Sequence, residues 1–333
     1  MRIDDKIYVA GHRGMVGAAL MGCLRAKGYQ NILTRTHDQL DLTRQATVDD
    51  FFAQERPDYI FVAAAKVGGI LANNTYRAEF IYSNMMIAAN VIHAAYTQHA
   101  KKLLFLGSSC IYPKFAPQPI HEDALLTGTL EPTNEAYAVA KIAAIKMCAS
   151  YNQQYGTNFL SVMPTNLYGP GDNYDAQNSH VLPALIRKIH QAKVEGAPAV
   201  TVWGSGSPRR EFLYSEDLAQ ACVFLMENYS ALDVGELVNI GTGEDITIAD
   251  LAKTIASIVG YDGNFLFDTS KPDGTPRKVL DVSKLGRLGW RASMSLKDGI
   301  RRTYDDYLLR FHPASSQLGS VSNNRLDASA DVL

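Results

Sequence analysis

The chain has 333 residues, of which 47% are hydrophobic, so it can bury a substantial core and is long enough for two lobes or one large α/β domain. This composition excludes a chain that is disordered throughout. The formal net charge of −2 gives no global electrostatic reason to bind nucleic acid or an anionic membrane surface. Because the chain is nearly neutral overall, any anionic ligand must be held by local groups. No apolar run approaches the length of a membrane span.

The first six residues mix both charge signs and lead directly into a short apolar strand, so we expect no secretory signal. Four cysteines stand far apart, and none belongs to a Cys-x-x-Cys pair or lies at metal-ligand spacing from a histidine. We therefore expect a cytoplasmic protein with free thiols and no bound metal. The cysteines are Cys23, Cys110, Cys148 and Cys222.

In the first half of the chain, apolar runs of strand length alternate with longer segments of helical period. This βαβα order predicts a parallel, doubly wound sheet of the Rossmann type. The predicted strands are residues 6–10, 31–34, 59–64, 103–107 and 159–163. The predicted helices are residues 16–27, 80–99 and 136–155.

The sequence changes character after Pro164. Residues 167–178 are rich in Gly, Asn, Asp and Tyr, and Pro183 opens an amphipathic segment that runs to Gln191. Residues 211–226 are expected to form a helix and 237–240 a buried strand that returns to the first sheet. We therefore expect a dinucleotide-binding Rossmann domain at 1–165 with roughly 211–240 returning, a smaller α/β lobe at 166–210 and 241–312, and a flexible tail at 313–333.

Gly11, Gly14 and Gly17 follow a predicted strand and open a predicted helix, which is the context in which a glycine-rich motif indicates a dinucleotide site. Glycine permits a tight turn and a close backbone approach, while the helix N-terminus offers unpaired N–H groups to a pyrophosphate. The Gly-x-x-Gly-x-x-Gly spacing differs from the Gly-x-Gly-x-x-Gly of many dehydrogenases. The alternative interpretation is a bare glycine turn.

The residue after the second strand distinguishes the two nicotinamide cofactors. NAD-binding folds commonly place an acidic residue there to bind the ribose 2′-hydroxyl. This chain has Arg35, which suits a 2′-phosphate through a charge-assisted bond, and Arg13 adds a second cation. We therefore predict NADP(H) as the cofactor, although Asp38 leaves room for NAD and Arg35 could be a solvated surface cation.

Tyr137 and Lys141 stand four residues apart in a predicted helix, so their side chains project from one face. A lysine ammonium beside a phenol is expected to lower the phenol's pKa, which would let it exchange a proton with a carbonyl oxygen. Ser108 follows an apolar strand, at the end of the sheet where ligands of such folds bind. It could hydrogen-bond a carbonyl or an alkoxide. A Tyr-x-x-x-Lys pair alone is more often an ordinary surface pair of a helix.

The glycine loop, the strand end and the Tyr-x-x-x-Lys pair together resemble the extended short-chain dehydrogenase/reductase family. Within it, further motifs resemble GDP-L-fucose synthases over roughly residues 6 to 310. These motifs are Ala65-Lys66-Val67-Gly68-Gly69-Ile70, Ser108-Ser109-Cys110-Ile111-Tyr112-Pro113, Pro164-Thr165-Asn166-Leu167-Tyr168-Gly169-Pro170, Trp203-Gly204-Ser205-Gly206 and residues 271–278.

That family converts GDP-4-keto-6-deoxy-D-mannose to GDP-L-fucose by epimerising C3 and C5 and then reducing C4 with NADPH. The ketone at C4 acidifies the protons on both neighbouring carbons, so one acid/base pair could serve both epimerisations. The resemblance assigns that pair to Cys110 and His180, whose side chains ordinarily ionise close enough to neutrality for proton exchange. Without the resemblance, Cys110 would be interpreted as inert packing and His180 as a helix-start residue.

The resemblance also implies which residues contact the two ligands. His37 and Lys188 are departures, because related proteins can carry arginine at both positions. The implied cofactor contacts are Gly11, His12, Arg13, Gly14, Met15, Val16, Gly17, Arg35, His37, Leu42, Leu106, Gly107, Ser109, Lys141, Pro164, Thr165, Asn166, Leu167 and His180. The implied substrate contacts are Lys188, Trp203, Arg210 and Lys278, the last two at the diphosphate.

Three other functions remain open at the level of sequence. A GDP-sugar 4-reductase or a UDP-sugar epimerase could use the same scaffold, but a simple reductase needs neither Cys110 nor His180. A non-catalytic NADP-binding regulator would be expected to have lost the Tyr137 and Lys141 pair. The resemblance further implies a homodimer formed through the helices at 80–99 and 136–155.

Overall fold

The computed structural model describes residues 1–175, 179–271 and 273–312, so the predicted tail at 313–333 lies outside the described residues. In chain order the strands are β1 (Ile7–Ala10), β2 (Ile32–Leu33), β3 (Tyr59–Val62), β4 (Lys102–Leu106), β5 (Phe159–Pro164), β6 (Asn166–Tyr168), β7 (Ala199–Trp203), β8 (Arg209–Arg210), β9 (Phe212–Tyr214), β10 (Val238–Ile240), β11 (Ile246–Thr247), β12 (Asn264–Asp268) and β13 (Arg277–Lys278). The helices are α1 (Met15–Ala26), α2 (Gln45–Glu55), α3 (Ile70–Thr75), α4 (Arg77–Thr97), α5 (Glu135–Tyr155), α6 (Val181–Glu195), α7 (Ser215–Asn228), α8 (Ala231–Val234), α9 (Ile248–Val259), α10 (Ser283–Arg287) and α11 (Leu296–Phe311).

A six-stranded parallel sheet organises the N-terminal half, with strand order β2-β1-β3-β4-β5-β10. Its strands are short, largely buried apolar runs, as expected for a sheet that is covered on both faces. Helices α2, α4 and α5 pack on one face, and α1 and α7 pack on the other. The predicted Rossmann-type, doubly wound fold is confirmed.

The chain returns to this sheet as predicted, because β10 pairs in parallel with β5. The prediction of one helix over 211–226 was wrong in its first part. Phe212–Tyr214 is a strand of three buried apolar and aromatic residues, and the helix starts at Ser215. The helix around Pro183 also starts earlier, at Val181, which leaves the proline in the first turn where no N–H donor is needed.

The rest of the described chain forms a second group of small sheets and helices. Strand β6 pairs with β9, β7 with β12, and β8 lies between β11 and β13. A separate hydrophobic cluster joins α6, α9 and α11, with Ile186, Ile255 and Tyr304 among its members. Strand β6 connects these elements to the carboxyl end of β5, which it follows after a single residue.

Candidate active site

The glycine-rich loop joins β1 to α1 and needs glycine at two positions. Gly11 has a left-handed φ of +83°, and a Cβ there would stand 2.8 Å from the backbone of Ala63. A Cβ on Gly17 would lie 2.1 Å from the Gly11 carbonyl oxygen. Helix α1 has no acidic residue in its first turn and no side-chain cap, so its N-terminal N–H groups can receive a phosphate.

The cations predicted beside this loop differ in their surroundings. Arg35 forms an ion pair with Glu55, with its Nη2 atom 2.6 Å from Oε1, and its guanidinium lies 5.2 Å from the Phe51 ring centre. The sequence did not indicate this pair, since Glu55 belongs to a helix that we did not predict. Arg13 and His37 are exposed. Desolvation and the charge of Arg13 lower the pKa of His12.

Lys141 lies beneath the end of β4, almost completely buried. Its Nζ donates a 2.7 Å hydrogen bond to the Leu106 carbonyl oxygen and stands 4.6 Å from the Phe105 ring centre and 5.6 Å from that of Tyr137. Burial lowers the pKa of Lys141 to about 8, although the neighbouring Cys110 raises it. The spacing of the predicted pair on one face of α5 therefore does bring the ammonium to the phenol.

Tyr137 and Ser108 meet beside this ammonium. Burial raises the pKa of Tyr137, the charge of Cys110 raises it further, and a hydrogen bond with Ser108 lowers it. The expectation that Lys141 would lower the phenol's pKa was wrong for this structure, because desolvation is the largest influence on that pKa and raises it. Tyr137 is consequently a neutral phenol near pH 7, which is the form that can donate a proton.

Cys110 follows Ser108 in a short turn after β4, and its backbone N–H lies 3.4 Å from the Ser108 Oγ. Burial raises the pKa of the Cys110 thiol, while Lys278, the Ser108 hydrogen bond and Lys141 lower it. The thiol thus interacts electrostatically with two cations, Lys141 from α5 and Lys278 from β13. Cys110 also lines a polar recess together with Ser109, Lys114, Glu131, Asn134 and Lys278 among others.

His180 is the N-cap of α6, and its side chain reaches solvent at the mouth of the site. Enough protein surrounds the ring for desolvation to lower its pKa, and the charge of Lys278 lowers it further. Lys278 therefore interacts electrostatically with both Cys110 and His180. From the sequence, Lys278 was predicted only as a contact of the diphosphate. Its separation from Cys110 along the chain gave no indication that the two side chains interact.

The remaining predicted substrate contacts line the second lobe. Trp203 is 53% exposed, and its ring centre lies 5.0 Å from the Nζ of Lys188 and 5.7 Å from that of Lys271. Lys271 was not predicted as a contact. Arg210 donates to the Asp273 carbonyl oxygen at 3.4 Å, and desolvation lowers its pKa while Asp273 raises it. Trp203 thus has two lysine ammonium groups near its ring, and Arg210 is bonded to the segment that carries Asp273.

The other predicted cofactor residues lie at or near the carboxyl ends of the central strands. A Cβ on Gly107 would come within 2.3 Å of the Met163 side chain, so the β4 end passes close to β5. Thr165 and Asn166 donate their side-chain hydrogen bonds to the Glu211 carbonyl oxygen. Pro164 ends β5, Leu167 lies in β6, Ser109 is buried, and Leu42 is buried with its carbonyl oxygen bonded to Asn90.

Among the described residues, we find no group of three or more His, Cys, Asp or Glu side chains that could hold a metal ion. In the same part of the chain, no helix has both the length and the apolar character needed to cross a membrane.

Comparison with known proteins agrees with this geometry. The model of the NAD dependent epimerase/dehydratase family matches residues 7–241. The chain is 60% identical over 303 residues to GDP-L-fucose synthase 1 of Arabidopsis thaliana, covering 91% of this chain and 93% of that protein. A GDP-mannoheptose C4 reductase from Campylobacter jejuni with NADP bound has a TM-score of 0.87 at 41% identity, covering 92% of this chain and 99% of that one. A GDP-L-fucose synthetase from Naegleria fowleri bound to NADP has a TM-score of 0.86 at 31% identity, covering 93% of this chain and 95% of the other. The chain therefore belongs to the NAD-dependent epimerase/dehydratase family and, within it, to the GDP-L-fucose synthases.

Proposed function

We propose that this enzyme converts GDP-4-keto-6-deoxy-D-mannose to GDP-L-fucose by epimerising C3 and C5 and reducing the C4 ketone with NADPH. One observation carries the proposal. Cys110 interacts with Ser108, Tyr137 and Lys141 of the reductase group and with the cation Lys278, which also interacts with His180. The site therefore has groups for proton exchange at carbon and groups for ketone reduction within one cleft.

The residues at the cofactor position fit NADP. Gly11 and Gly17 bring the backbone close to a pyrophosphate at the N-terminus of α1, and no acidic side chain lies in that first turn. Arg13 is exposed beside the loop and Arg35 lies after β2, where both could meet a 2′-phosphate, Arg35 by exchanging its bond to Glu55. When bound, NADPH supplies the hydride for C4.

The epimerisation steps follow from the acidity of the carbons beside the ketone. Ser108 and Tyr137 hydrogen-bond the C4 oxygen and stabilise the enolate that forms when a proton leaves C3 or C5. Cys110 and His180 act as the base and the acid that exchange those protons. Lys278 lowers the pKa of the Cys110 thiol and so favours its reactive thiolate.

The reductive step uses the neutral phenol. Tyr137 gives its proton to the C4 oxygen as the alkoxide forms, and the Lys141 ammonium 5.6 Å from the ring centre stabilises the resulting phenolate. Ser108 holds the oxygen in place. Lys141 is anchored by the Leu106 carbonyl at the strand end, and this fixes the ammonium under the reacting carbonyl.

Local groups hold the nucleotide sugar, as the nearly neutral chain requires. We assign the diphosphate to Arg210 and Lys278, and the exposed face of Trp203 together with Lys188 to the nucleotide. Arg210 and Lys278 are register partners in the paired strands β8 and β13, so their side chains start from adjacent backbone positions.

A GDP-sugar 4-reductase is the second candidate, because a GDP-mannoheptose C4 reductase shares this fold at 41% identity. A reductase without epimerisation has no use for an acid/base pair at carbon. The placement of Cys110 and His180 around Lys278 therefore favours the epimerase/reductase over the reductase, and the intact Tyr137 and Lys141 pair disfavours a non-catalytic regulator.

The test is to incubate the purified enzyme with GDP-4-keto-6-deoxymannose and NADPH in deuterated water, following NADPH absorbance and identifying the product. We expect GDP-L-fucose carrying deuterium at C3 and C5. Cys110→Ser should suppress deuterium incorporation, whereas Tyr137→Phe should slow reduction by about 10²- to 10⁴-fold and leave deuterium exchange measurable. A product reduced at C4 without epimerisation would identify a 4-reductase instead.

We further propose that the enzyme is a cytoplasmic homodimer with its interface on α4 and α5. These helices pack on each other and leave Tyr82, Met85, Val139 and Tyr155 exposed. All four cysteines are free thiols, which suits a reducing compartment. We also propose two lobes close to the predicted boundaries, since the hydrophobic cluster that joins α6, α9 and α11 is separate from the clusters on the large sheet. Phe212 and Tyr214 of β9 belong to the former cluster, although 211–240 was predicted to return to the Rossmann domain.

A further inference from the structure

A carboxylate lies completely buried where the two lobes meet. Glu211, between β8 and β9, has 0% of its surface exposed. Its Oε1 atom accepts hydrogen bonds from the backbone N–H groups of Thr242 at 2.6 Å and Gly243 at 2.8 Å, and its Oε2 atom accepts from that of Leu280 at 2.8 Å. The mechanism above does not use this group.

The surroundings of Glu211 are shaped for a charged carboxylate. Burial raises its pKa, but the three backbone donors and a bond with Thr165 lower it and so favour the anion. A Cβ on Gly241 would stand 2.1 Å from Oε1, so the loop after β10 can approach only because that residue is glycine. The three backbone donors belong to two other segments of the chain, one at Thr242 and Gly243 and one at Leu280. The buried carboxylate therefore links these two segments to the one that carries Glu211.

The segments that Glu211 joins are those that carry the substrate cations. Arg210 immediately precedes Glu211, and the backbone N–H of Glu211 donates to the Lys278 carbonyl oxygen at 3.3 Å. Leu280, bonded to the carboxylate, lies two residues after Lys278. Glu211 therefore holds the chain at Lys278 itself and two residues beyond it.

The charge of Glu211 also acts on that lysine. Desolvation lowers the pKa of Lys278, and Arg210 lowers it further, whereas Cys110 and Glu211 raise it. Glu211 is the buried carboxylate that contributes to this compensation. Without it, Lys278 would lose its proton at a lower pH.

We propose that Glu211 is a positioning residue that fixes Lys278 and Arg210 in the substrate site. This inference rests on the proposed function, because it assumes that Lys278 and Arg210 hold the diphosphate. On the cofactor side, the Glu211 backbone carbonyl accepts hydrogen bonds from Thr165 and Asn166, which no side-chain substitution removes, and the carboxylate itself interacts only with Thr165 among these residues. A change in the carboxylate should therefore affect the nucleotide-sugar site more strongly than the cofactor site.

The experiment compares Glu211→Gln with the wild type in two titrations, one with GDP alone and one with NADPH alone. Glutamine keeps one acceptor oxygen but presents an NH₂ group to a backbone N–H. We expect GDP to bind about tenfold more weakly, in line with a donor left unpaired in the interior, and NADPH affinity to stay within about twofold. The alkaline limb of the pH profile for deuterium incorporation should move to lower pH.

Asp217→Asn is the matched control. Asp217 is also buried and also accepts two backbone N–H bonds, from Ser293 and Met294, but it holds no residue of the site. We expect a comparable loss of thermal stability with unchanged GDP and NADPH affinities. If Glu211→Gln behaves like Asp217→Asn, or weakens GDP and NADPH equally, Glu211 is merely structural and the inference is wrong.

Glu211→Asp is a second variant for the case in which the glutamine variant does not fold. It keeps the charge and shortens the side chain, so GDP affinity should fall while the pH profile stays in place. An unchanged GDP affinity in Glu211→Asp would contradict the positioning role. Failure of the wild type to form GDP-L-fucose would instead overturn the proposed function, and the separate GDP and NADPH titrations keep the two outcomes distinguishable.

Discussion

Lys141 shows how burial sets the pH range over which the ammonium proposed to assist ketone reduction stays charged. It is enclosed by the Phe105 ring, the Tyr137 ring and the end of β4, with one hydrogen bond to the Leu106 carbonyl. Desolvation lowers its pKa to about 8 from 10.5. The group is therefore charged below about pH 8 and neutral above it.

The rate of ketone reduction should accordingly fall as the pH rises through about 8, because neutral Lys141 no longer stabilises the Tyr137 phenolate. The measurement is kcat for NADPH oxidation between pH 6 and 10 at saturating substrate. Lys141→Met should be slow at every pH and lack this alkaline decline. A wild-type rate that stays flat to pH 10 would contradict the assignment.

The residues of the site could be predicted from sequence to different degrees, for physical reasons. The spacing of Tyr137 and Lys141 is a local helical property, so their shared face was predictable. The approach of Lys278 to Cys110 depends on strands far apart in the chain, and the Arg35 pair depends on an unpredicted helix. The pKa of Tyr137 was predicted in the wrong direction, since sequence reveals a neighbouring charge but not the depth of burial.

At the scale of the element, helix α1 contains two glycines, and close packing excludes a side chain at only one of them. A Cβ on Gly17 would lie 2.1 Å from the Gly11 carbonyl oxygen, whereas a Cβ on Gly22 would meet no atom within 4 Å. The same substitution in the same helix should therefore have opposite effects on the free energy of unfolding.

Gly17→Ala should destabilise the protein by about 1–3 kcal/mol and weaken NADPH binding, because the phosphate loop must move to admit the methyl group. Gly22→Ala should stabilise by about 0.5–1 kcal/mol through helix propensity alone and leave NADPH affinity unchanged. Denaturant unfolding and NADPH fluorescence titration measure both effects. Equal shifts for the two variants would refute the close approach at Gly17.

Several elements with a sustained pattern were predicted and the shortest strands of the smaller sheets were not, although the amphipathic helices α9 and α11 were missed as well. Helix α5 and strands β4 and β5 have long runs of one character, and their bounds fell within one or two residues of the prediction. Strands β8, β11 and β13 are two residues long, too short to show any periodicity. Phe212–Tyr214 was merged into the following helix because three apolar residues fit either structure.

At the scale of the whole molecule, one buried carboxylate links stability to pH. Asp172 follows β6, accepts a hydrogen bond from the Asn173 N–H at 2.7 Å, and has its Oδ2 atom buried without a hydrogen-bond partner. Burial raises its pKa to about 7 from 3.8. The folded protein therefore binds this proton more tightly than the unfolded chain between those two values.

A carboxylate with a raised pKa contributes stability below pH 4 that is lost as the pH rises through about 7. Asp172→Asn cannot ionise, so it should be more stable than the wild type by about 1–3 kcal/mol at pH 8, with the difference shrinking toward pH 4. Urea unfolding at pH 4, 6 and 8 measures it. Asp50→Asn, at an exposed site, is the control and should give no such trend.

The proposed dimer is tested at the same scale. Met85→Lys combined with Val139→Lys should convert a dimer to a monomer in analytical ultracentrifugation, because each charge would be buried in the interface. Leu232→Lys is the matched control, since that leucine is 96% exposed and belongs to α8 rather than to α4 or α5. A monomeric wild type would contradict the proposed interface.

The pairing of β10 with β5 has a consequence for how this molecule could be divided. The outermost strand of the large sheet comes from residues 238–240, after the chain has already contributed β6 to β9 to the smaller sheets. A fragment cut at the end of β5 would have a bare strand edge, open to pairing with other chains. The segment between β5 and β10 is therefore not an interchangeable module. Recombination with relatives would have to exchange the strands of the large sheet, including β10, as one set.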